Sequence, residues 1–256
     1  MRRILIVGNW KMHKTASEAA DFVHRLSVLV PNADGVDVIL APPFTALHAT
    51  AQALPQSSPF TLAAQNLHWE DQGAFTGEVS APMLKELGCR SVMVGHSERR
   101  RLFREVDAEI NQKVLAALRH ELRPILCLGE TLPEREAGRT EEVVTGQLLE
   151  GLAGTAKDGL LMVTVAYEPA WAIGTGHAAS PGQVILVHEL LRAVIAREWG
   201  SEASQAIRIL YGGSVTPQNI REFLVSPQVN GALVGGACLD PQSFATIIRV
   251  AQGTVR

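Results

Sequence analysis

Residues 91–128, SVMVGHSERRRLFREVDAEINQKVLAALRHELRPILCL, hold one complete structural unit. The run 91–95 is short and apolar, as is 123–128, and between them Val106, Ile110, Val114 and Leu118 recur every four residues. That spacing puts four apolar side chains on one face of a helix over 106–118 and leaves the other face charged. Short runs rich in Val, Ile and Leu, without polar alternation, suit strands of a parallel sheet covered on both faces. The unit reads as strand, helix, parallel strand.

The same unit recurs in both directions along the chain. Apolar runs also stand at 4–7, 36–41, 60–64, 162–167, 207–211 and 232–235, most of them separated by a helical segment. Ser180-Pro181, Thr216-Pro217 and Asp240-Pro241 each place a capping side chain before a proline suited to the first helical position, and so predict three helix starts. No Pro/Gly/Ser-rich linker, low-complexity tract or shift of composition divides the chain, so 1–256 reads as one domain. Eight such units in 256 residues fit a closed (β/α)8 barrel of the α/β class. An open doubly wound sheet commonly uses about five or six strands and ends sooner.

Composition narrows the class of function. With 46% hydrophobic and 19% charged residues and a formal net charge of −3, the chain predicts a globular protein with neither nucleic acid nor an anionic membrane as partner. The basic run Arg99-Arg100-Arg101 is too short to alter that. The opening Met1-Arg2-Arg3 and 4–7 imitate a signal peptide, but polar Asn9-Trp10-Lys11 follow without a small-residue cleavage site, and no stretch reaches the length of a membrane span, so a cytoplasmic location is expected. Cys89, Cys127 and Cys238 form no C-x-x-C pair, and the His residues other than His96 show no ligand spacing, which argues against a disulfide framework and a metal site.

In a barrel, function gathers at the carboxyl ends of the strands. The first strand ends Gly8-Asn9-Trp10-Lys11, and alternation puts Asn9 and Lys11 on the same side as Leu5 and Val7, an amide and a cation in one mouth. The fourth ends Gly95-His96-Ser97-Glu98, where the unpaired amides of a helical turn would keep the imidazole neutral and leave it an N–H to donate. The sixth ends Tyr167-Glu168-Pro169, a carboxylate at the edge of an apolar barrel; loss of water makes a carboxylate a stronger base, so Glu168 is the candidate general base. The segment 170–176, AWAIGTG, is apolar and glycine-hinged, as a lid over Glu168 would be. The last two strands end Gly212-Gly213-Ser214 and Gly235-Gly236-Ala237, each before a capped helix; with Gly174 they outline a cradle for one phosphate. Neither a P-loop nor a dinucleotide fingerprint is present, so no nucleotide cofactor is expected.

Taken together, the motifs GNWK (8–11), GHSERR (95–100), YEPAWAIGTG (167–176), YGGSV (211–215) and LVGGA (233–237), with QN (65–66), GAFTGE (73–78) and LCLGE (126–130), closely resemble the triosephosphate isomerase family over essentially the full chain. The resemblance implies an isomerase of glycolysis and gluconeogenesis that interconverts dihydroxyacetone phosphate and glyceraldehyde 3-phosphate through an enediolate, without a cofactor. It assigns Glu168 as the base on carbon, His96 as the group that polarises the carbonyl and moves protons between oxygens, Lys11 with Asn9 as the stabilisers of negative charge, and Gly174, Ser214, Gly235 and Gly236 as the phosphate cradle. It also implies a homodimer in which the loop around Thr76 enters a pocket of the partner. Two places depart from the family's pattern: His177-Ala178-Ala179 after the glycine-hinged segment, and Asn230-Gly231-Ala232 where an acidic residue, Gly and Phe are frequent.

Two other readings are weaker: another phosphate-binding barrel enzyme, such as a sugar-phosphate isomerase or an aldolase, and a non-catalytic sensor of a phosphate ligand. A Schiff-base aldolase would need a desolvated lysine at a strand end, and Lys11 alone is so placed. A non-catalytic phosphate sensor would need neither Glu168 nor His96.

Overall fold

The structure, a computed structural model, describes residues 2–172 and 179–255. Eight strands run β1 (Ile4–Asn9), β2 (Val36–Ala41), β3 (Phe60–Ala64), β4 (Cys89–Val94), β5 (Arg123–Leu128), β6 (Thr164–Tyr167), β7 (Arg208–Tyr211) and β8 (Gly231–Val234). Each pairs in parallel with the next, and β8 pairs with β1, so the sheet closes into the expected (β/α)8 barrel.

Alternation divides the apolar residues into two shells. Leu5, Val7, Ile39, Ala41, Met93, Ile125, Cys127, Ala166, Leu210 and Leu233 fill the barrel interior. Their neighbours along the strands, such as Ile6, Val38, Leu126, Val165 and Ile209, face outward and pack beneath the helices. The interior is therefore a packed core, with a cavity at each mouth.

The helices mostly begin where capping chemistry places them. α1 (Ala16–Leu29) starts with a capping box from Thr15 and Glu18. It is followed by α2 (Phe44–Ala53), α3 (Ala81–Glu86), α4 (Ser97–Phe103), α5 (Asp107–Arg119), α6 (Leu132–Glu136), α7 (Thr140–Gly151), α8 (Lys157–Leu160), α9 (Pro181–Ala206), α10 (Ile220–Leu224) and α11 (Pro241–Gln252). Ser180 caps α9 and Asp240 caps α11, as their side chains predict.

Three expectations need correction. Val106 is the N-cap of α5 rather than part of its buried face and is 56% exposed, because the Glu109 carboxylate turns back onto its amide and starts the helix one residue later. Thr216-Pro217 opens a turn, not a helix: the Asn219 carboxamide oxygen accepts the Thr216 amide, and α10 begins only at Ile220. The run 162–167 enters the sheet at Thr164, since the amides of Met162 and Val163 are used in the preceding turn by Gly159 and Leu160. Among the described residues no helix is long and apolar enough to cross a membrane.

Candidate active site

The carboxyl-terminal mouth of the barrel opens into a cavity of about 300 Å³ whose wall includes Asn9, Lys11, His96, Glu168, Ser214, Gly235 and Gly236. Every site residue expected from the strand ends meets there except Gly174, which lies outside the described residues, as do the hinge residues His177 and Ala178.

Asn9 continues the inward face of Leu5 and Val7, and its side-chain oxygen accepts the Lys11 amide at 2.9 Å. Lys11 has φ 51°, in the left-handed region that costs a non-glycine residue about 1–3 kcal/mol. The contacts that hold it there are specific. Gln65, next inward after Ala63, donates from Nε2 to the carbonyl oxygens of both Lys11 and Ala41 at 2.9 Å. The Lys11 ammonium lies 2.6 Å from Glu98 Oε1. Burial pushes the Glu98 carboxyl up, but the hydrogen bond and charge of Lys11, with the charge of Arg101, oppose it and the group lies below its ordinary value.

His96 leaves the barrel alternation because Gly95, at φ 72°, turns the chain out of β4 into α4. A side chain at Gly95 would meet the Cys127 carbonyl oxygen at 3.1 Å, so the close approach also requires glycine. As the N-cap of α4, His96 accepts the Glu98 amide on Nδ1 at 3.2 Å. A nitrogen that accepts this bond carries no proton, so the neutral ring holds its proton on Nε2.

That Nε2 points toward Glu168. β6 places Ala166 inside the barrel, and two residues on Glu168 points the same way, 1% exposed. Its Oε2 accepts the Ser97 amide at 2.9 Å, while Oε1 lies 3.4 Å from His96 Nε2 and has no hydrogen-bond partner among the described residues. Room for this side chain comes from Gly212, where a Cβ would stand 2.7 Å from the Glu168 Cγ. Behind it, burial and then the Glu168 charge push the Cys127 thiol well above its ordinary range, so Cys127 offers no thiolate.

At the last two strands Gly235 opens the turn Gly236–Cys238, with Ser214 exposed across the cavity. A Cβ on Gly236 would meet nothing within 4 Å, and one on Gly235 would come no nearer than 3.6 Å to Lys11. This open, amide-lined corner beside an ammonium suits a tetrahedral oxyanion. Among the described residues no group of three His, Cys, Asp or Glu side chains is arranged to hold a metal ion.

Two supports of the site were not singled out as such from the sequence. Gln65 is one. The other is Glu130, fully buried, which accepts from Tyr167 Oη at 3.1 Å, Trp171 Nε1 at 3.0 Å and Arg135 at 3.1 Å. It ties the turn after Glu168 to the end of β5; a buried glutamate paired with a downstream Tyr and Trp is a signal visible only once the strands are adjacent. Thr76 sits on an exposed loop beside Phe75, which is 43% exposed and whose ring packs on His68.

Comparison with known proteins identifies the family. A family model described as Triosephosphate isomerase matches residues 4–251. The triosephosphate isomerase of Moorella thermoacetica is 53% identical over 252 residues, covering 98% of this chain and 100% of the relative. That of Chloroflexus aurantiacus is 51% identical over 248 residues, covering 97% and 99%, and that of Dictyoglomus turgidum 48% identical over 249 residues, covering 97% and 100%.

Proposed function

The chain belongs to the triosephosphate isomerase family, and we propose that Glu168, His96, Lys11 and Asn9 carry that family's reaction in it. The enzyme interconverts dihydroxyacetone phosphate and glyceraldehyde 3-phosphate, a step of glycolysis. The Glu168 carboxylate removes a proton from the carbon of dihydroxyacetone phosphate that bears the hydroxyl and returns it to the former carbonyl carbon. His96 donates its Nε2–H to the carbonyl oxygen and then exchanges protons between the two oxygens of the enediolate. The Lys11 ammonium, with the Asn9 amide beside it, stabilises the negative charge that develops there. Ser214, Gly235, Gly236 and Gly174 hold the phosphate, whose binding energy positions the reacting carbons.

The observation that carries this assignment is the buried Glu168 Oε1, without a hydrogen-bond partner among the described residues and 3.4 Å from His96 Nε2 at the edge of the cavity. A buried carboxylate oxygen left without a donor is costly in a merely structural role. We further propose a homodimer in which the loop carrying Thr76 enters a partner's pocket; the exposed Phe75 ring at its tip supports that reading. The direct test is a coupled assay of glyceraldehyde 3-phosphate conversion by wild type and Glu168→Ala. Rapid turnover in wild type and its collapse in the variant are expected; equal turnover in both would overturn the assignment.

A further inference from the structure

The amino-terminal mouth of the barrel is unusually charged for a face that normally serves stability. Two residues before the inward-facing Leu5, Ile39, Ile125 and Leu210 stand Arg3, Asp37, Arg123 and Arg208, so alternation directs all four into the same mouth. They line, with Arg2, a cavity of about 840 Å³ at the opposite end of the strands from Glu168. Among the described residues Asp37 is the lone carboxylate in that wall, and it is already shared: Arg3 Nε lies 2.9 Å from one oxygen and Arg208 2.6 Å from the other. Arg2 is turned onto the main-chain oxygens of Ser204 and Gln205, and Arg123 forms no ion pair among the described residues. Four guanidiniums thus face one carboxylate.

A fifth cation lies directly behind this wall. Arg192 donates to Asn230 Oδ1 at 2.8 Å and to the main-chain oxygens of Ser204 and Ile207, with no carboxylate in ion-pair range among the described residues. Its Nε is buried without a partner. Burial, and then the charge of Arg2, bring its guanidinium down to about 10. Asn230 itself lines the cavity, so the positive field of Arg192 reaches the cavity through a neutral amide.

The remaining wall is apolar, with Leu161, Val163, Leu224 and Val255. Its volume lies in the range of about 300–1,000 Å³ that organic ligands occupy, and an inorganic ion would leave most of it empty. Arginine forks bind phosphate oxygens two at a time. We propose that this cavity is a second ligand site, which takes an organic phosphate of nucleotide size, with its charged groups among Arg2, Arg3, Arg123 and Arg208 and its body on the apolar wall. Such a ligand binds the folded chain alone and stabilises it by mass action, without meeting the triose phosphate at the other mouth.

The test uses ADP as probe, with adenosine and inorganic pyrophosphate as its two halves, in calorimetric titrations of the full chain. One ADP per chain is expected, bound at least tenfold more tightly than either half, with a raised Tm and an affinity that falls with salt. Arg123→Glu and the milder Arg123→Gln leave isomerase activity unchanged and weaken ADP at least tenfold and severalfold, respectively. Gly235→Asp, in the catalytic cavity, leaves ADP binding intact. The proposal is overturned by no binding at millimolar ADP, by equal affinity in both Arg123 variants, by loss of binding in Gly235→Asp, or by competition between ADP and triose phosphate.

Discussion

Glu168 and His96 face each other at 3.4 Å with unequal ends: Oε2 of the carboxylate is fixed by the Ser97 amide, whereas Oε1, the end nearer His96 Nε2, has no hydrogen-bond partner among the described residues. One backbone turn sets both partners. The start of α4 donates Ser97 N–H to the glutamate and Glu98 N–H to the imidazole, so the orientation of the base and the tautomer of the acid have a common origin. Under the proposed assignment, the edge of a planar enediolate meets this pair with oxygen toward the imidazole and carbon toward the carboxylate.

Glu168→Asp withdraws the carboxylate by one methylene from that edge. A displacement of roughly 1 Å costs about a hundredfold in rate, so kcat falls by about that factor or more while KM stays within a few fold. Steady-state kinetics check this, and an unchanged kcat removes Glu168 from the mechanism.

Gly235→Asp introduces a carboxylate where the nearest atom to a new Cβ is Lys11 Cε at 3.6 Å. The site has room for the side chain, so the effect is charge against phosphate rather than steric disruption. KM rises about tenfold or more with the fold intact by circular dichroism; an unaltered KM contradicts the cradle.

Gln65→Leu leaves the Lys11 carbonyl oxygen without its Gln65 donor and takes one of two donors from that of Ala41, which keeps the Trp10 amide. Stability drops by about 1–3 kcal/mol in urea titrations, and kcat drops with it because the left-handed Lys11 backbone loses a clamp. A stable variant with full kcat would show that Asn9 and Glu98 suffice.

His188 gives the protein an acid-sensitive core. Burial, reinforced by the charge of Arg192 and opposed by the Gln228 carbonyl, lowers the imidazole to about 4 from an ordinary 6.5. The unfolded chain therefore binds this proton first as pH falls: the contribution of the neutral ring is complete above 6.5 and drains away between 6.5 and 4. By pH 5 the loss is about 2 kcal/mol. His188→Gln is expected to reduce the difference in unfolding free energy between pH 7 and pH 5 by about that amount; an unchanged difference rules His188 out as its source.

Thr76→Arg puts a long cation into the loop proposed to enter the partner. Sedimentation is expected to give a monomer, with activity reduced at least tenfold; a fully active monomer would refute the dependence of the site on the partner.

Alternation was the part of the site legible in the sequence. Knowing that Leu5, Val7 and Ala166 face inward is enough to aim Asn9, Lys11 and Glu168 into one mouth, whatever the barrel's detailed shape. Glycine pairs at the last strands are legible for the same reason, because an open backbone corner needs them. Gln65 and Glu130 were not, since each acts by bridging strands that only closure of the sheet makes neighbours. The capping reading failed at Thr216, where the Asn219 side chain returns to the Thr216 amide and forms a turn before any helix. The charges of the opposite mouth obey the same alternation as Asn9, Lys11 and Glu168, but their meaning depends on how few carboxylates answer them, which only the folded wall reveals.

The most direct test of the central assignment follows the carbon-bound proton itself. Dihydroxyacetone phosphate is incubated with enzyme in deuterium oxide, the product is trapped by oxidation, and deuterium at the former carbonyl carbon is read by NMR. Wild type is expected to introduce solvent deuterium there, with His96→Gln slower and Glu168→Ala showing no exchange above the uncatalysed rate. Exchange by Glu168→Ala at the wild-type rate would contradict Glu168 as the base.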